Sequence, residues 1–291
     1  MVAPGFLLTP KMARWLGGIE PAWTLLTFES FNALRREPSK ENRALSLASD
    51  LTDVEVSMSP VTRNMLLFLQ SASVGDGLKL TATGNLSRAV VAEMVDRFEW
   101  PELDKAHAYR HHKVLNEPDF LPLFFVRHIA TQATLVRPYR GALRPTQLGR
   151  DLLKEPRRRA LQAILFHVTF WHADISYLGR GMFGTWPQFD AGVLFWSLFV
   201  SASNWQTPET LSRLCAVPIV GVLESTWDSG STLVEARILR PLRWFGLLEY
   251  RSEEIPGVRL GQRHFYRKSP LFGRFLAFDV KLERADSSAR H

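Results

Sequence analysis

Two stretches of the chain repeat one pattern, and this repeat limits the possible architecture more than any other feature of the sequence. Thr134–Arg137 aligns with Gly246–Glu249, and Thr146–Leu148 aligns with Ser269–Leu271. In each stretch a hairpin strand comes first, a hydroxyl residue able to cap a helix follows, and an apolar closing helix ends the pattern. Two matches in the same order predict either a duplicated unit or two units that converged on one fold.

Proline, glycine and hydroxyl residues mark the elements of the first unit. Ser59 before Pro60 is an N-cap followed by proline at the first helical position, where the missing N–H costs nothing. The predicted elements are a helix over 60–73, a strand over 78–81, helices over 88–99 and 119–133, extended runs over 135–138 and 142–145 around the turn 139–141, and a closing helix capped by Thr146.

The second unit has similar signals. Thr207 before Pro208 begins a helix, and Thr232 with Glu235 forms a capping box that opens the next helix. That helix ends near Gly246, as is typical of a C-terminal glycine. Two strands, 247–250 and 264–267, then precede a last helix that begins at Ser269 and Pro270.

The order helix, strand, helix, helix and hairpin resembles the winged-helix domain, a helix-turn-helix variant whose hairpin is the wing. We therefore expect a mainly α protein with small β-hairpins (α+β), in which two winged-helix-like units flank a central hairpin of apolar helices. A single irregular helical protein with two hairpins is the alternative. The predicted segments are an N-terminal helical arm (1–58), the first unit (59–156), the central hairpin (157–204), the second unit (205–280) and a disordered tail (281–291).

A second resemblance is local. The segment 77–86, GLKLTATGNL, is similar to a segment of uncharacterised bacterial proteins, some of them from plasmids and mobile elements. The resemblance covers ten residues and has no catalytic residue to transfer, so it implies a family without an established activity.

The charge is unevenly distributed. The chain has a net charge of +7, and 36 of its 291 residues are Lys or Arg. Residues 127–159 and 237–274 both have a large basic excess, so the remainder of the chain is net acidic. Two concentrated basic segments favour a polyanionic partner more than a high overall charge does.

Double-stranded DNA is therefore the predicted partner. The helix over 232–245 would enter the major groove, and the two wings would contact phosphate. The candidate DNA-contacting residues are Arg237, Arg240 and Arg243 on that helix, Arg137, Arg140 and Arg144 on the first wing, and Arg263 and Arg267 on the second. Two observations weaken this hypothesis: residues 120–126 of the corresponding first-unit helix are almost all apolar, and Pro241 interrupts the second-unit helix.

Histidine and cysteine patterns do not predict a metal or catalytic site. His167 and His172 are five residues apart, which separates their rings by about 140° on an α-helix, whereas metal ligands on one helical face are three or four apart. His107 and His111 have the right spacing, but the neighbouring residues are basic. Cys215 lies between apolar residues and is expected to be a buried thiol.

Other motifs also favour a structural interpretation. Gly179, Gly181 and Gly184 have dinucleotide-binding spacing but follow a helix rather than a strand, so a loop is expected. The tryptophans near the central hairpin lie among Phe, Leu and Val, which favours core packing over a stacking platform that would interleave exposed rings with arginine. No cofactor or metal is predicted, and we expect a non-enzymatic protein.

The favoured hypothesis is a bacterial DNA-binding regulator or mobile-element accessory factor. The alternative is an interaction scaffold that uses winged-helix units as adaptors, with a protein partner or a second copy of the chain. An enzyme with an unrecognised site is a third possibility. The longest apolar stretch, 191–200, is far shorter than the ~20 residues of a membrane span, so a cytoplasmic protein is expected.

Overall fold

The computed structural model describes residues 9–110, 112–257 and 261–283, and it has the predicted α+β fold of helices and short antiparallel sheets. The α-helices are α1 (Pro10–Leu16), α2 (Phe28–Arg35), α3 (Asp53–Ser57), α4 (Pro60–Ser73), α5 (Arg88–Arg97), α6 (Lys105–Ala108), α7 (Leu121–Gln132), α8 (Gln147–Asp151), α9 (Leu161–His167), α10 (Ala191–Ser201), α11 (Pro208–Cys215), α12 (Val220–Leu223), α13 (Ser229–Val234), α14 (Arg240–Trp244) and α15 (Pro270–Phe275). The strands are β1 (Leu45–Leu47), β2 (Leu78–Lys79), β3 (Val136–Tyr139), β4 (Ala142–Pro145), β5 (Leu248–Glu254), β6 (Gln262–Lys268) and β7 (Leu276–Phe278). Short 3₁₀ turns cover Ala22–Leu25, Glu117–Asp119, Arg157–Ala160, Ser176–Gly179 and Gln188–Asp190, and π-helical turns cover Val168–His172 and Glu235–Leu239.

Contacts group the described residues into two units. The middle unit comprises residues 48–173 and 244–246, and the outer unit comprises the described residues before 48, residues 174–243 and the described residues from 247 on. The segment 157–204, predicted as one central hairpin, contributes residues to both units. Among the described residues, no helix combines the length and hydrophobicity that a membrane span needs.

The middle unit has a three-stranded antiparallel sheet beside a helical core. Its strand order is β2-β4-β3, so the first strand in sequence pairs with the last. Ser59 caps α4 as predicted, because its hydroxyl accepts a hydrogen bond from the main-chain N–H of Thr62. The buried rings of Phe125 and Trp244 lie 5.1 Å apart, edge to face, within the core.

The outer unit has the same order of elements. Helices α10, α11 and α13–α14 precede the hairpin β5–β6, and α15 closes the unit. Gln206 forms an antiparallel bridge with Tyr266, so the segment between α10 and α11 pairs with the last hairpin strand. A separate two-stranded sheet joins β1 to β7, where Leu45 is opposite Phe278.

The aligned stretches of the two units have the same backbone geometry. Thr134 and Gly246 both have positive φ angles, +53° and +75°. The next residue in each case bonds back to the preceding helix, Leu135 N to Ala130 O at 2.8 Å and Leu247 N to Leu242 O at 2.9 Å. The capping residue then bonds to that residue's carbonyl, Thr146 N to Leu135 O at 2.9 Å and Ser269 N to Leu247 O at 3.0 Å.

One predicted helix start and one predicted helix cap are wrong. The capping box at Thr232 does not form, because α13 begins earlier at Ser229 and the Asp228 carboxylate accepts from Ser231 N at 3.2 Å. Ser87, the hydroxyl residue expected to cap the helix predicted over 88–99, directly precedes α5, but its side chain forms no capping hydrogen bond.

The predicted disordered tail starts at residue 281, where the chain is still hydrogen-bonded. Thr27 N donates to Lys281 O at 3.1 Å, and Glu283 N donates to Leu25 O at 2.9 Å. Residues 284–291 lie outside the described residues, as do His111 and Arg259.

Candidate nucleic-acid interface

Arg237, the first arginine of the predicted recognition helix, is buried. Its exposed fraction is 0%, and its guanidinium donates to four main-chain carbonyls of the loop between α9 and α10. The acceptors are Ser176 O at 2.9 Å, Met182 O and Gly184 O, each at 2.8 Å, and Trp186 O. Burial lowers the pKa of Arg237, and the nearby Asp174 carboxylate opposes that shift. Arg237 therefore holds a loop in place and is not available to DNA.

The loop held by Arg237 is the glycine-rich segment that has dinucleotide-binding spacing. Gly179 ends a 3₁₀ turn, and a Cβ atom there would lie 2.4 Å from Leu233 Cδ2 and 2.8 Å from Arg237 Nε. The loop closes around the Arg237 guanidinium, and glycine at position 179 leaves room for the Leu233 and Arg237 side chains.

Arg240 and Arg243 are only partly exposed. Pro241 lies in a helix that continues through it: Arg240 is helical, with φ −65° and ψ −48°, and its N–H bonds to Glu235 O five residues back. This π turn absorbs the disruption expected from proline. The Arg243 guanidinium lies over the Tyr250 ring, 4.0 Å from its centroid. The three arginines thus do not form the exposed row that the spacing predicted.

Glu235 makes a contact that the sequence did not predict. Its carboxylate lies 2.6 Å from His264 Nδ1 and accepts from the Tyr266 hydroxyl at 2.9 Å. Burial, together with Glu235, raises the pKa of Tyr266. These contacts join the π turn after α13 to β6. Residues so distant in sequence carry no local signal of their pairing.

Acidic partners offset much of the charge on the outer hairpin, β5–β6. Arg267 is paired with Glu249, with Nη2 and Oε2 2.6 Å apart, and Arg251 is paired with Glu253 at 3.4 Å. The guanidinium carbons of Arg251 and Arg267 lie 5.0 and 4.6 Å from the Trp205 ring centroid. Arg263 is exposed and lies opposite Glu253 in the strand register.

The middle-unit hairpin, β3–β4, has a different charge pattern. Arg137 and Arg140 are exposed, and within the described part of the chain neither forms an ion pair with a carboxylate. Arg144 is paired with the fully exposed Asp76, with Nη2 and Oδ1 2.8 Å apart. Arg137 and Arg144 are directly opposite each other in the register, a like-charge arrangement that destabilises a bare hairpin.

The charge patterns of the two hairpins can be compared position by position, because the hairpins are aligned in the repeat. The positions of Arg137 and Arg144 in the middle unit correspond to those of Glu249 and Arg267 in the outer unit. One unit therefore has an ion pair where the other has two cations. An anionic ligand would relieve the repulsion between the two cations in the middle unit.

Arg140 occupies an unusual backbone position. The tight turn between Tyr139 and Ala142 has positive φ at both central residues, +48° at Arg140 and +75° at Gly141, as in a type I′ turn. Asn, Asp and Gly are the residues that usually adopt this conformation, so an arginine here is a feature to explain by function.

Tyr139 is the site residue that the sequence did not single out. It is 41% exposed, and the guanidinium carbons of Arg137, Arg140 and Arg144 lie 5.9, 5.2 and 5.3 Å from its ring centroid. Arg137 and Tyr139 are two residues apart on one strand, so they lie on the same face of the sheet. This spacing is the sequence signal that could have identified Tyr139 as a site residue.

Helix α7, the predicted third helix of the first winged-helix-like unit, does not present a base-reading surface. Leu123, Phe125 and Val126 are buried, as the apolar run predicted. Arg127 is ion-paired with the buried Glu117 and also donates to Gly84 O at 2.6 Å. Glu117 in turn accepts from Leu86 N at 2.7 Å. The segment 77–86 is thus fastened to α7 through a buried carboxylate.

Backbone geometry explains both glycines of the segment 77–86. Gly77 has φ +90°, and a Cβ atom there would lie 2.6 Å from the main-chain oxygen of Leu143. Gly84 has φ +83° in the turn where its N–H bonds to Thr81 O at 2.9 Å. The segment therefore builds a strand and a tight turn.

His167 and His172 lie side by side, and the prediction that their rings are about 140° apart is wrong. Residues Val168–His172 form a π-helical turn, which places residues five apart side by side, and the two rings stack with centroids 5.2 Å apart. The assumption of α-helical geometry was wrong there.

The other chemical candidates match the expected structural roles. Cys215 is buried, and burial raises the pKa of its thiol, as predicted for an inert residue. Trp186 and Trp196 are in the core, whereas Trp205 is partly exposed between two arginines.

The middle unit is similar in sequence to a bacterial protein family without an assigned activity. Residues 57–158 match the model of the Y4jL N-terminal domain. Over 105 residues the chain is 38% identical to the uncharacterized protein y4jL of Sinorhizobium fredii (strain NBRC 101917 / NGR234), a match that covers 36% of this chain and 48% of that protein. The chain thus spans about half the length of this curated relative. No solved structure matches the chain significantly.

The matched region includes the segment 77–86 and the hairpin that carries Tyr139. The predicted similarity to an uncharacterised bacterial protein is therefore confirmed.

Proposed function

We propose that this chain is a non-enzymatic DNA-binding protein whose middle-unit hairpin contacts phosphate. The carrying observation is the like-charge pair of Arg137 and Arg144, at positions where the outer unit has an ion pair. Arginine suits phosphate because its planar group donates two parallel hydrogen bonds. With Arg140 at the turn, three guanidinium groups surround one exposed ring.

The order of elements supports two winged-helix-like units. In each, a helix is followed by a short extended segment that pairs with the last hairpin strand, then by several further helical segments and the hairpin itself. The hairpin β3–β4 would be the wing of the middle unit. The regulatory or mobile-element role stays a prediction.

The contacts of Arg237 and Arg127 change the expected mode of binding. Because Arg237 is buried and Arg127 is committed to Glu117, the third helices have few free guanidinium groups for base edges. We therefore expect phosphate contacts with little sequence selectivity, with the wing arginines more important than those of the helix.

Fluorescence anisotropy with a labelled duplex of arbitrary sequence tests the proposal. The wild-type affinity should fall steeply with salt, and replacing Arg137 and Arg140 by Ala should flatten the slope of log K against log salt by about 2, since each phosphate contact contributes about 0.9. Arg157→Ala is the matched control, because Arg157 is exposed in the same unit but paired with Asp151. Binding that is insensitive to salt, or that is undetectable at low salt with both this duplex and a single strand, would overturn the proposal.

The same titration separates DNA binding from the scaffold alternative. A protein-interaction adaptor needs no counterion release, so the double variant should then behave like the wild type.

A further inference from the structure

The solvent face of the β2-β4-β3 sheet collects one aromatic ring and several cations. Residues that alternate along a strand share a face, and Arg137 and Tyr139 are two apart on β3. Across the register, Arg144 is opposite Arg137, Ala142 is opposite Tyr139, and Lys79 is opposite Ala142. These five residues form what we call the Tyr139 face.

The ring of Tyr139 lies among cations and not among other rings. Within the described residues, no aromatic side chain packs against it, and its cross-strand neighbour Ala142 is too small to cover it. A solvated face of mixed charge would pair its arginines with acids, as the outer hairpin does. On the Tyr139 face only Arg144 has such a partner, Asp76.

A ligand that fits this face must offer flat rings and negative charges at short spacing. Duplex DNA offers its phosphates, but its bases are stacked inside the helix. Single-stranded DNA offers both, because its bases are free to stack on an aromatic side chain while the adjacent phosphates bind cations. Tyr139 and the arginines around it have the composition of such a stacking platform. For the tryptophans, by contrast, the sequence predicted core packing.

We propose that the Tyr139 face binds single-stranded DNA, with one base stacked on Tyr139 and the flanking phosphates on Arg137 and Arg140. This inference rests on the proposed DNA-binding function and specifies its substrate class. Arg140, held at the tip by the type I′ turn, is placed to follow the backbone as the strand passes the ring.

The test compares a labelled 12-nucleotide oligothymidylate with a 12-base-pair duplex, each titrated with the full chain. The wild type should bind the single strand more tightly than the duplex. Tyr139→Ala should weaken single-strand binding roughly 5- to 150-fold, the range expected for loss of one stacked base, and should change duplex binding by less than about twofold. Tyr139→Phe should keep the wild-type affinity, because it keeps the ring.

Two further variants test whether a loss of affinity comes from the missing Tyr139 ring and not from misfolding or from the loss of any exposed ring. Phe28→Ala removes another exposed ring, 62% exposed and outside this face, and should leave both affinities unchanged. Tyr139→Leu should fold where Tyr139→Ala does not, since leucine retains apolar bulk on the strand, and it should lose single-strand affinity to the same extent.

The outcomes separate this inference from the proposed function. Tighter binding to the duplex, or equal losses for both ligands in Tyr139→Ala and Tyr139→Leu, would overturn single-strand recognition while leaving phosphate binding intact. No binding to either ligand at low salt would overturn both.

Discussion

Asp190 accepts a hydrogen bond from Arg35, with Oδ1 and Nε 2.7 Å apart, yet the pKa of its carboxyl is raised to about 6. Burial is the larger influence, because the Asp190 side chain is only 2% exposed while the Arg35 side chain is 45% exposed. The attraction of a half-solvated guanidinium does not offset the loss of water around the carboxylate.

This relationship predicts a pH dependence of stability. The folded pKa of Asp190, about 6, lies above the value of about 3.9 expected in the unfolded chain. The folded state therefore favours the protonated carboxyl, and this stabilisation is fully present below about pH 4 and is lost as the pH rises through 6. Relative to Asp190→Asn, the wild type should lose about 3 kcal/mol over the whole titration, since each pKa unit corresponds to about 1.4 kcal/mol. About 2 kcal/mol of this falls between pH 4.5 and 7.5.

Urea unfolding of both proteins at pH 4.5, 6.0 and 7.5 measures this difference. Asp76→Asn, at a fully exposed carboxylate, is the control and should give a nearly constant difference from the wild type. A wild-type advantage that grows with pH would show that Arg35 outweighs burial.

Replacing Arg237 should reduce stability and leave DNA binding unchanged. Arg237→Met removes the donor shared by the carbonyls of Ser176, Met182, Gly184 and Trp186, so the free energy of unfolding should fall by roughly 3 kcal/mol or more. Arg263→Met, at an exposed site, should change it by less than about 0.5 kcal/mol. A stable Arg237→Met variant with weakened DNA binding would instead return Arg237 to the interface.

Local signals in the sequence predicted local structure well. The caps at Ser59, Thr146 and Thr207 each form as expected, because the side chain bonds to an N–H three residues ahead. Gly246 likewise has a positive φ, a conformation that glycine adopts without a steric penalty. In each of these cases the interacting atoms are close in sequence, so the local sequence is sufficient to predict the contact.

The prediction of the site failed where the geometry depends on distant parts of the chain. Counting three residues between arginines assumes an α-helix, but the π turn Glu235–Leu239 shifts the faces, and Arg237 turns inward to a loop more than 50 residues away. The stacked His167 and His172 rings have the same cause. Charge counting alone also does not separate Arg267, which is paired with Glu249, from Arg137, which is not ion-paired with any carboxylate among the described residues.

Glu117 should be the most sensitive carboxylate of the middle unit. Its side chain is 4% exposed, and it accepts from both Arg127 and Leu86 N. Glu117→Ala should cost about 3 to 5 kcal/mol, because a mostly buried guanidinium and a main-chain N–H lose their partner. Adding Arg127→Leu should recover part of that loss. Thermal and urea unfolding of the four proteins of this cycle give the coupling energy.

An exposed ion pair in the same unit provides the comparison. Glu93 and Arg97 are one helical turn apart, with their charged atoms 3.0 Å from each other and both side chains well exposed. Glu93→Ala should cost less than about 0.5 kcal/mol. Equal losses at Glu93 and Glu117 would contradict the role assigned to the buried carboxylate.

Substitutions at Arg140 should move stability and DNA affinity in opposite directions. A side chain at φ +48° costs about 1 kcal/mol relative to glycine, which adopts positive φ freely. Arg140→Gly should therefore raise the free energy of unfolding by about 0.5 to 1 kcal/mol while weakening DNA binding, because one phosphate-contacting cation is lost. Arg140→Ala loses the same charge but keeps the Cβ atom, so it should lose the same affinity without gaining stability. Thermal unfolding and anisotropy on the three proteins distinguish the two effects. If Arg140→Gly binds DNA as well as the wild type does, the turn arginine has no part in binding and its strained position is unexplained by phosphate recognition.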